Sequence, residues 1–292
     1  MARLFFARRQ RHRHPAIERN TRLLVRRGVR PYDTRDFQSV EQTMQQSDVV
    51  IDTTPEPRRV DALGGWKWIV DAFALYRRGW LQWTAMSGLF CVLLMALSVL
   101  PLVSMAATIL TPVLVAGMME AADRCRRGEP FAVMDLFNGF RHNTRELVLV
   151  GVFYLLAWLV FVMLLVVIIT AFGLAPQLAA LSEAGLAAKA AQAESVPREL
   201  MLFGLFGFFG GLLVSSIYLF APALVMLRGM RAIEAMKLSY VAFWRNFLPV
   251  LVFSVVFIAL TIIASIPALL GFIVLIPLAL LTPYAAYVGI FE

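Results

Sequence analysis

Two stretches of this chain, Gly79–Met119 and Asn246–Phe291, contain no Asp, Glu, Lys or Arg over 41 and 46 residues. As single helices rising ~1.5 Å per residue, each would be about twice as long as the ~30 Å hydrocarbon core of a bilayer. Each must therefore fold back, and Pro101 and Pro267 mark the turning points. The pattern predicts paired spans at Trp80–Leu100 and Leu102–Met119, and again at Phe247–Ile266 and Ala268–Val288. Two further apolar runs, Leu147–Phe172 and Leu200–Leu227, complete a set of six. Backbone amides and carbonyls find no water in hydrocarbon, so such runs cross a membrane as helices. The predicted fold class is all-α: a polytopic membrane protein with six transmembrane helices over residues 65–292.

Shorter segments of mixed polarity separate the runs. Trp66, Ile69, Val70, Phe73 and Tyr76 fall at helical spacing, with Lys67, Asp71 and Arg78 on the other side. This predicts an amphipathic helix in the membrane interface, with Trp66, Trp68 and Tyr76 at headgroup depth. After Gly128, Pro130 opens a second such helix, with Val133, Leu136, Phe137 and Phe140 as its stripe and Asp135, Asn138 and His142 facing away. Ile233, Met236, Tyr240 and Phe243 mark a third. Interfacial helix, span, fold-back and span thus recur as a weak threefold pseudo-repeat. Each short helix ends in an aromatic residue followed by Arg: Tyr76-Arg77, Phe140-Arg141 and Trp244-Arg245. Each even-numbered span carries a small residue before proline, at Pro112, Pro222 and Pro283, with a glycine further on. These prolines are expected helix kinks, since each removes a backbone donor that neighbours must compensate.

Composition agrees with the pattern: 60% of residues are hydrophobic and 16% charged. The net charge of +8 is uneven, because residues 1–64 hold thirteen arginines against eight acids. The positive-inside bias accounts for most of this excess, and nucleic acid is not an expected partner. Twelve Lys and Arg lie on one side of the predicted spans between Lys67 and Arg245; Lys189 and Arg198 lie on the other. Both termini are therefore expected in the cytoplasm, around a multi-pass membrane domain. Residues 1–64 read as a disordered basic tail. Three readings of it compete: an arm on anionic lipid, an arm for nucleic acid, or a stretch that is not translated, with Met44 as the start.

The chemistry-bearing residues are few. Cys91 and Cys125 form no CxxC or His/Cys cluster, so no metal or cofactor is expected. No Asp, Glu, Lys, Arg or His falls within the six predicted spans, which argues against an ion-coupled pump. The hydroxyls there, such as Ser98, Ser254 and Thr261, read as bonded back to their own helices or across helices. Gly204, Gly207, Gly210 and Gly211 read as a smooth face for close helix packing. The best polar constellation is Glu120, Asp123, Arg124, Arg127, Glu129, Asp135, Arg141 and His142. Acid–base work at a membrane surface would use such groups. Alternating signs favour salt-bridged helix ends and lipid-headgroup contacts instead. No nucleophile elbow, zinc-protease, P-loop or dinucleotide motif occurs.

The openings GGWKWIVDAFALYRRGW and APALVMLRGMRAIEAMKLSYVAFWRNF, with the ending YAAYVGIFE, resemble a family of bacterial six-span inner-membrane proteins. The resemblance covers about residues 65–292 and implies no assigned activity. The layout is also similar to the membrane domain fused to some glycerophosphodiester phosphodiesterases, a likeness of layout alone. The expected function is non-enzymatic, with membrane lipids, a protein partner or a second copy as companions. The alternatives are a transporter or channel for an apolar or zwitterionic solute, and an interfacial enzyme using Glu120, Asp123 and His142.

Overall fold

The computed structural model describes residues 56–98, 101–176, 178–179, 197–266 and 270–292. The Arg-rich start, Met44, the turn at Pro267 and the Ala-rich loop around Lys189 lie outside the described residues. Among the described residues the chain is all-helical. Nine α-helices and one 3-10 helix follow in order: α1 Gly64–Arg78, α2 Trp80–Ser98, α3 Pro101–Arg126, η1 Val133–Phe140, α4 Thr144–Ala171, α5 Arg198–Ser216, α6 Ala221–Arg228, α7 Ala232–Arg245, α8 Phe247–Ser265 and α9 Phe272–Phe291. Six segments among the described residues are long and apolar enough to cross a membrane, with α5 and α6 together forming the fourth.

That fourth segment is not the continuous helix expected over Leu200–Leu227. It breaks between Ser216 and Ala221, so Pro222 opens a new helix and kinks none. The break is stabilised from outside. The Ser239 hydroxyl of α7 donates to the Ser216 carbonyl at 2.8 Å and accepts from the Phe220 amide at 3.0 Å. Those two backbone groups are four residues apart and would bond each other in an unbroken helix. One hydroxyl has been inserted into the ladder, satisfying both groups where water is absent. Ser239 is fully buried. By contrast Pro112 and Pro283 lie inside continuous helices. Each follows a threonine whose hydroxyl bonds the carbonyl four residues back, Thr111 to Ala107 and Thr282 to Leu278, both at 2.7 Å. At the far end of α6, Gly229 takes a left-handed φ of 65° and closes the helix, with the Met230 amide reaching the Leu224 carbonyl.

Packing follows a cycle. The second span of each segment carries the short helix of the next: α3 carries η1, α6 carries α7, and α9 carries α1. The α3–η1 contact is backbone to backbone. A Cβ on Gly117 would strike the Leu136 and Asp135 carbonyls, and one on Gly139 would strike that of Val113. The short helices sit deeper than their stripes predict. α1 buries Trp68, Ile69, Ala72, Leu75 and Tyr76, leaving Trp66, Val70 and Phe73 exposed. Trp68 therefore packs in the core instead of standing free in the interface. In α7, Met236 and Phe243 are buried while Ile233 and Tyr240 are open. Asp135 does not face away from η1; it is held against α3. The glycine face of α5 is also less occupied than expected: a Cβ on Gly204 or Gly207 would meet nothing, while Gly210 abuts the Phe161 ring and Gly211 lies in looser contact with the rings of Trp158 and Phe161.

Candidate functional site

The ends of α3, α6 and α9 meet at one end of the bundle, the charged end, through Arg126, Arg228 and Glu292, and η1, α7 and α1 pack on those three helices. The segment before α1 is fastened there. The Val60 amide donates to Asn246 Oδ1 at 2.8 Å, and Asn246 Nδ2 donates to the Arg58 carbonyl at 2.9 Å. The Arg58 amide bonds the Ile290 carbonyl at 2.8 Å. Residues 56–64, read from sequence as the end of the tail, thus run along the helical domain. Nearby, the Glu146 carboxylate accepts from the Ala232 amide at 2.9 Å, placing negative charge at the start of α7 where the helix dipole favours it.

A polar knot lies where α3 meets α9. Tyr284 donates its hydroxyl to Asp123 at 2.9 Å and accepts from Arg126 Nε at 2.9 Å. Arg126 also pairs with Asp123 at 3.2 Å and with Glu292 at 2.6 Å. Arg127 bridges Asp123 and Glu129, both at 3.2 Å. Arg124 turns the other way, to Asp135 at 3.1 Å, and the same carboxylate accepts from the Ala132 amide. Beside them Arg228 of α6 donates to the Tyr287 hydroxyl at 3.0 Å and to the Phe291 carbonyl at 3.2 Å. Partly exposed ion pairs contribute at most ~1 kcal/mol each, so the knot's value is mainly positional. It fixes the ends of three spans relative to one another.

Of the residues singled out from sequence, Asp123, Arg124 and Arg127 belong to this network, joined through Glu129. Glu120 does not: one of its carboxylate oxygens is buried and has no hydrogen-bond partner. Arg141 and His142 sit exposed between η1 and α4, outside the network. Arg126, Tyr284, Tyr287, Arg228 and Glu292 were missed. The pair Tyr284 and Tyr287, one helical turn apart at the end of a charge-free span, was the available signal.

The knot floors a pocket of about 360 Å³ between α1 and α9. One wall is Trp68, Leu75, Ala285 and Val288, and the polar lining is Lys67, Asp71, Arg78, Arg126 and Tyr284. Arg78 is anchored by the Cys125 and Arg126 carbonyls at 3.2 and 3.3 Å. Among the described residues Lys67 and Asp71 have no ion-pair partner, and both line the pocket from one side of α1. An apolar wall beside three cations and one carboxylate suits a ligand that is itself divided. No group of His, Cys, Asp or Glu among the described residues could hold a metal ion.

Residues 99–227 match the model of a family described as "Predicted integral membrane protein (DUF2189)". Over those residues the chain is similar to an uncharacterised family of integral membrane proteins, in keeping with the six apolar segments. No curated protein and no solved structure matches the chain.

Proposed function

We propose that this multi-pass integral membrane protein is a non-enzymatic, lipid-binding component of a bacterial inner membrane. Its charged end and both termini face the cytoplasm, and its pocket between α1 and α9 holds a glycerophospholipid headgroup. The lining of that pocket carries the reading. Lys67 and Arg78 offer charge to a phosphate, Asp71 stands ready for a headgroup amine, and Trp68 and Leu75 face the glycerol and upper chain. Basic side chains at a membrane surface gain ~1 kcal/mol each from anionic lipid. Asp123, the central carboxylate of the sequence-derived cluster, is bound by Tyr284 and two arginines, an arrangement suited to bracing and not to proton transfer.

The transporter alternative is less well supported. Ser98, Ser254, Thr261 and Thr282 of the spans bond back to their own helices, which leaves those hydroxyls engaged and not offered to a solute. Native mass spectrometry of the protein released from a mild detergent provides the test. Phospholipid should be retained by the wild type and reduced about tenfold in the Lys67→Ala, Arg78→Ala double variant, equivalent to ~1.4 kcal/mol. Asp71→Asn should weaken amine-bearing headgroups only. Equal retention by all three proteins, or turnover of a phospholipid by the purified protein, would overturn the reading.

A further inference from the structure

Two apolar grooves open sideways between the spans, each roofed by a short helix of the next segment. In the first, Trp66, Val70 and Phe73 of α1 overhang Ile263, Val274 and Leu278 in a cleft of about 490 Å³. Its floor is where α8 and α9 converge, with Gly271 against Ala264. In the second, Ile233, Tyr240 and Val241 of α7 overhang Phe153 of α4 and Ile217 at the break before α6, around about 560 Å³. The same construction has therefore been made twice from unrelated side chains. Its counterpart at η1 is drawn tight by Gly117 and Gly139.

We infer that both grooves seat an acyl chain of a phospholipid whose phosphate rests against the basic residues of the roof helix. The occupant follows from chemistry and charge. The groove walls carry almost no polar surface, so water gains nothing there. Each roof carries a cation on its groove side: Arg77 follows Trp66, Val70 and Phe73 on one face of α1, and Lys237 itself lines the second groove, with Arg245 at the end of α7. Hydrocarbon below and fixed positive charge above reproduce the division of an anionic lipid. In a bilayer, burial from water supplies no preference among apolar surfaces, so packing and this charge set the selectivity. The inference rests on the proposed membrane placement but not on the pocket lined by Lys67, Asp71 and Tyr284, which lies on the opposite flank of α1.

The test reconstitutes the full chain with a phospholipid carrying a photoreactive acyl chain, then maps cross-links by peptide mass spectrometry. Cross-links should concentrate on Val70, Ile263 and Val274 and on Phe153 and Val241, about tenfold above those on Val160 and Met163 of α4. Ile263→Trp should empty the first groove alone and Val241→Trp the second alone, each variant serving as the other's folding control. Even labelling of groove and α4 positions would overturn the inference, as would tryptophan variants that change nothing. The Lys67→Ala, Arg78→Ala protein separates the two readings. Lost headgroup retention with unchanged Val241 and Phe153 cross-links sustains the grooves, and lost cross-links with intact retention removes them while sparing the pocket.

Discussion

α4 and α9 are both long apolar helices, yet they do opposite jobs. Over an 18-residue apolar stretch α4 has a mean hydropathy of 3.1 and is only 6% buried, whereas the corresponding stretch of α9 has 2.0 and 56%. α3 resembles α9, at 1.6 and 56%. In a water-soluble protein the most apolar helix would be the most buried. Among α3, α4, α8 and α9 the relation is inverted, because lipid is as good a solvent for Val160, Met163 and Val167 as any protein core. α2, at 1.6 and 22%, shows that low hydropathy alone does not place a helix inside. What distinguishes the inner helices is small and hydrogen-bonding residues. Gly117 admits η1, Tyr284 and Tyr287 receive arginines, and Ala285 and Ala286 let neighbours approach. The centre of this molecule is selected by fit and polar satisfaction, and its periphery by hydrophobicity.

That contrast yields predictions, taken from the largest effect down. Gly117→Ala should lower stability by ~1–3 kcal/mol, seen as a lower detergent melting temperature, because the new methyl meets backbone carbonyls of η1. Ser239→Ala should also cost ~1–3 kcal/mol, through the Ser216 carbonyl and Phe220 amide it leaves unpaired. A melting temperature equal to wild type would show that the break closes into an ordinary helix. Asn246→Ala should cost about 1–2 kcal/mol and speed hydrogen exchange at the amides of Arg58 and Val60. Tyr284→Phe should lose about 1 kcal/mol and loosen α9 against α3. Smallest is Gly204→Ala on the open side of α5, expected to be neutral or stabilising by ~0.5–1 kcal/mol. A large loss at Gly204 would mean that this face is covered by a partner.

Much of the fold was legible in the sequence, because hydropathy over twenty residues reports a physical necessity. The starts of α2 at Trp80, α3 at Pro101 and α8 at Phe247 lie within one residue of the predicted spans. The break at Ser216–Ala221 was hidden, since the hydroxyl that makes it possible comes from Ser239, on another helix. The orientation of α1 was half legible: its stripe is real, but Trp68 and Leu75 are drawn inward by α9, which no local pattern records. The polar cluster was read along one helix face, at Glu120, Asp123, Arg124 and Arg127. The network instead turns on Arg126 and Tyr284, 158 residues apart. Spacing within a helix shows which side chains share a face, and only tertiary packing decides which face meets a partner.

The inversion of hydropathy and burial can be measured by spin labels in liposomes, with Cys91 and Cys125 replaced and single labels placed along α4 and α9. Collision with dissolved oxygen, which concentrates in hydrocarbon, should be high at Val160, Met163 and Val167 and low at Leu281, Ala286 and Ile290. Equal oxygen collision on both helices, or higher values on α9, would contradict the account.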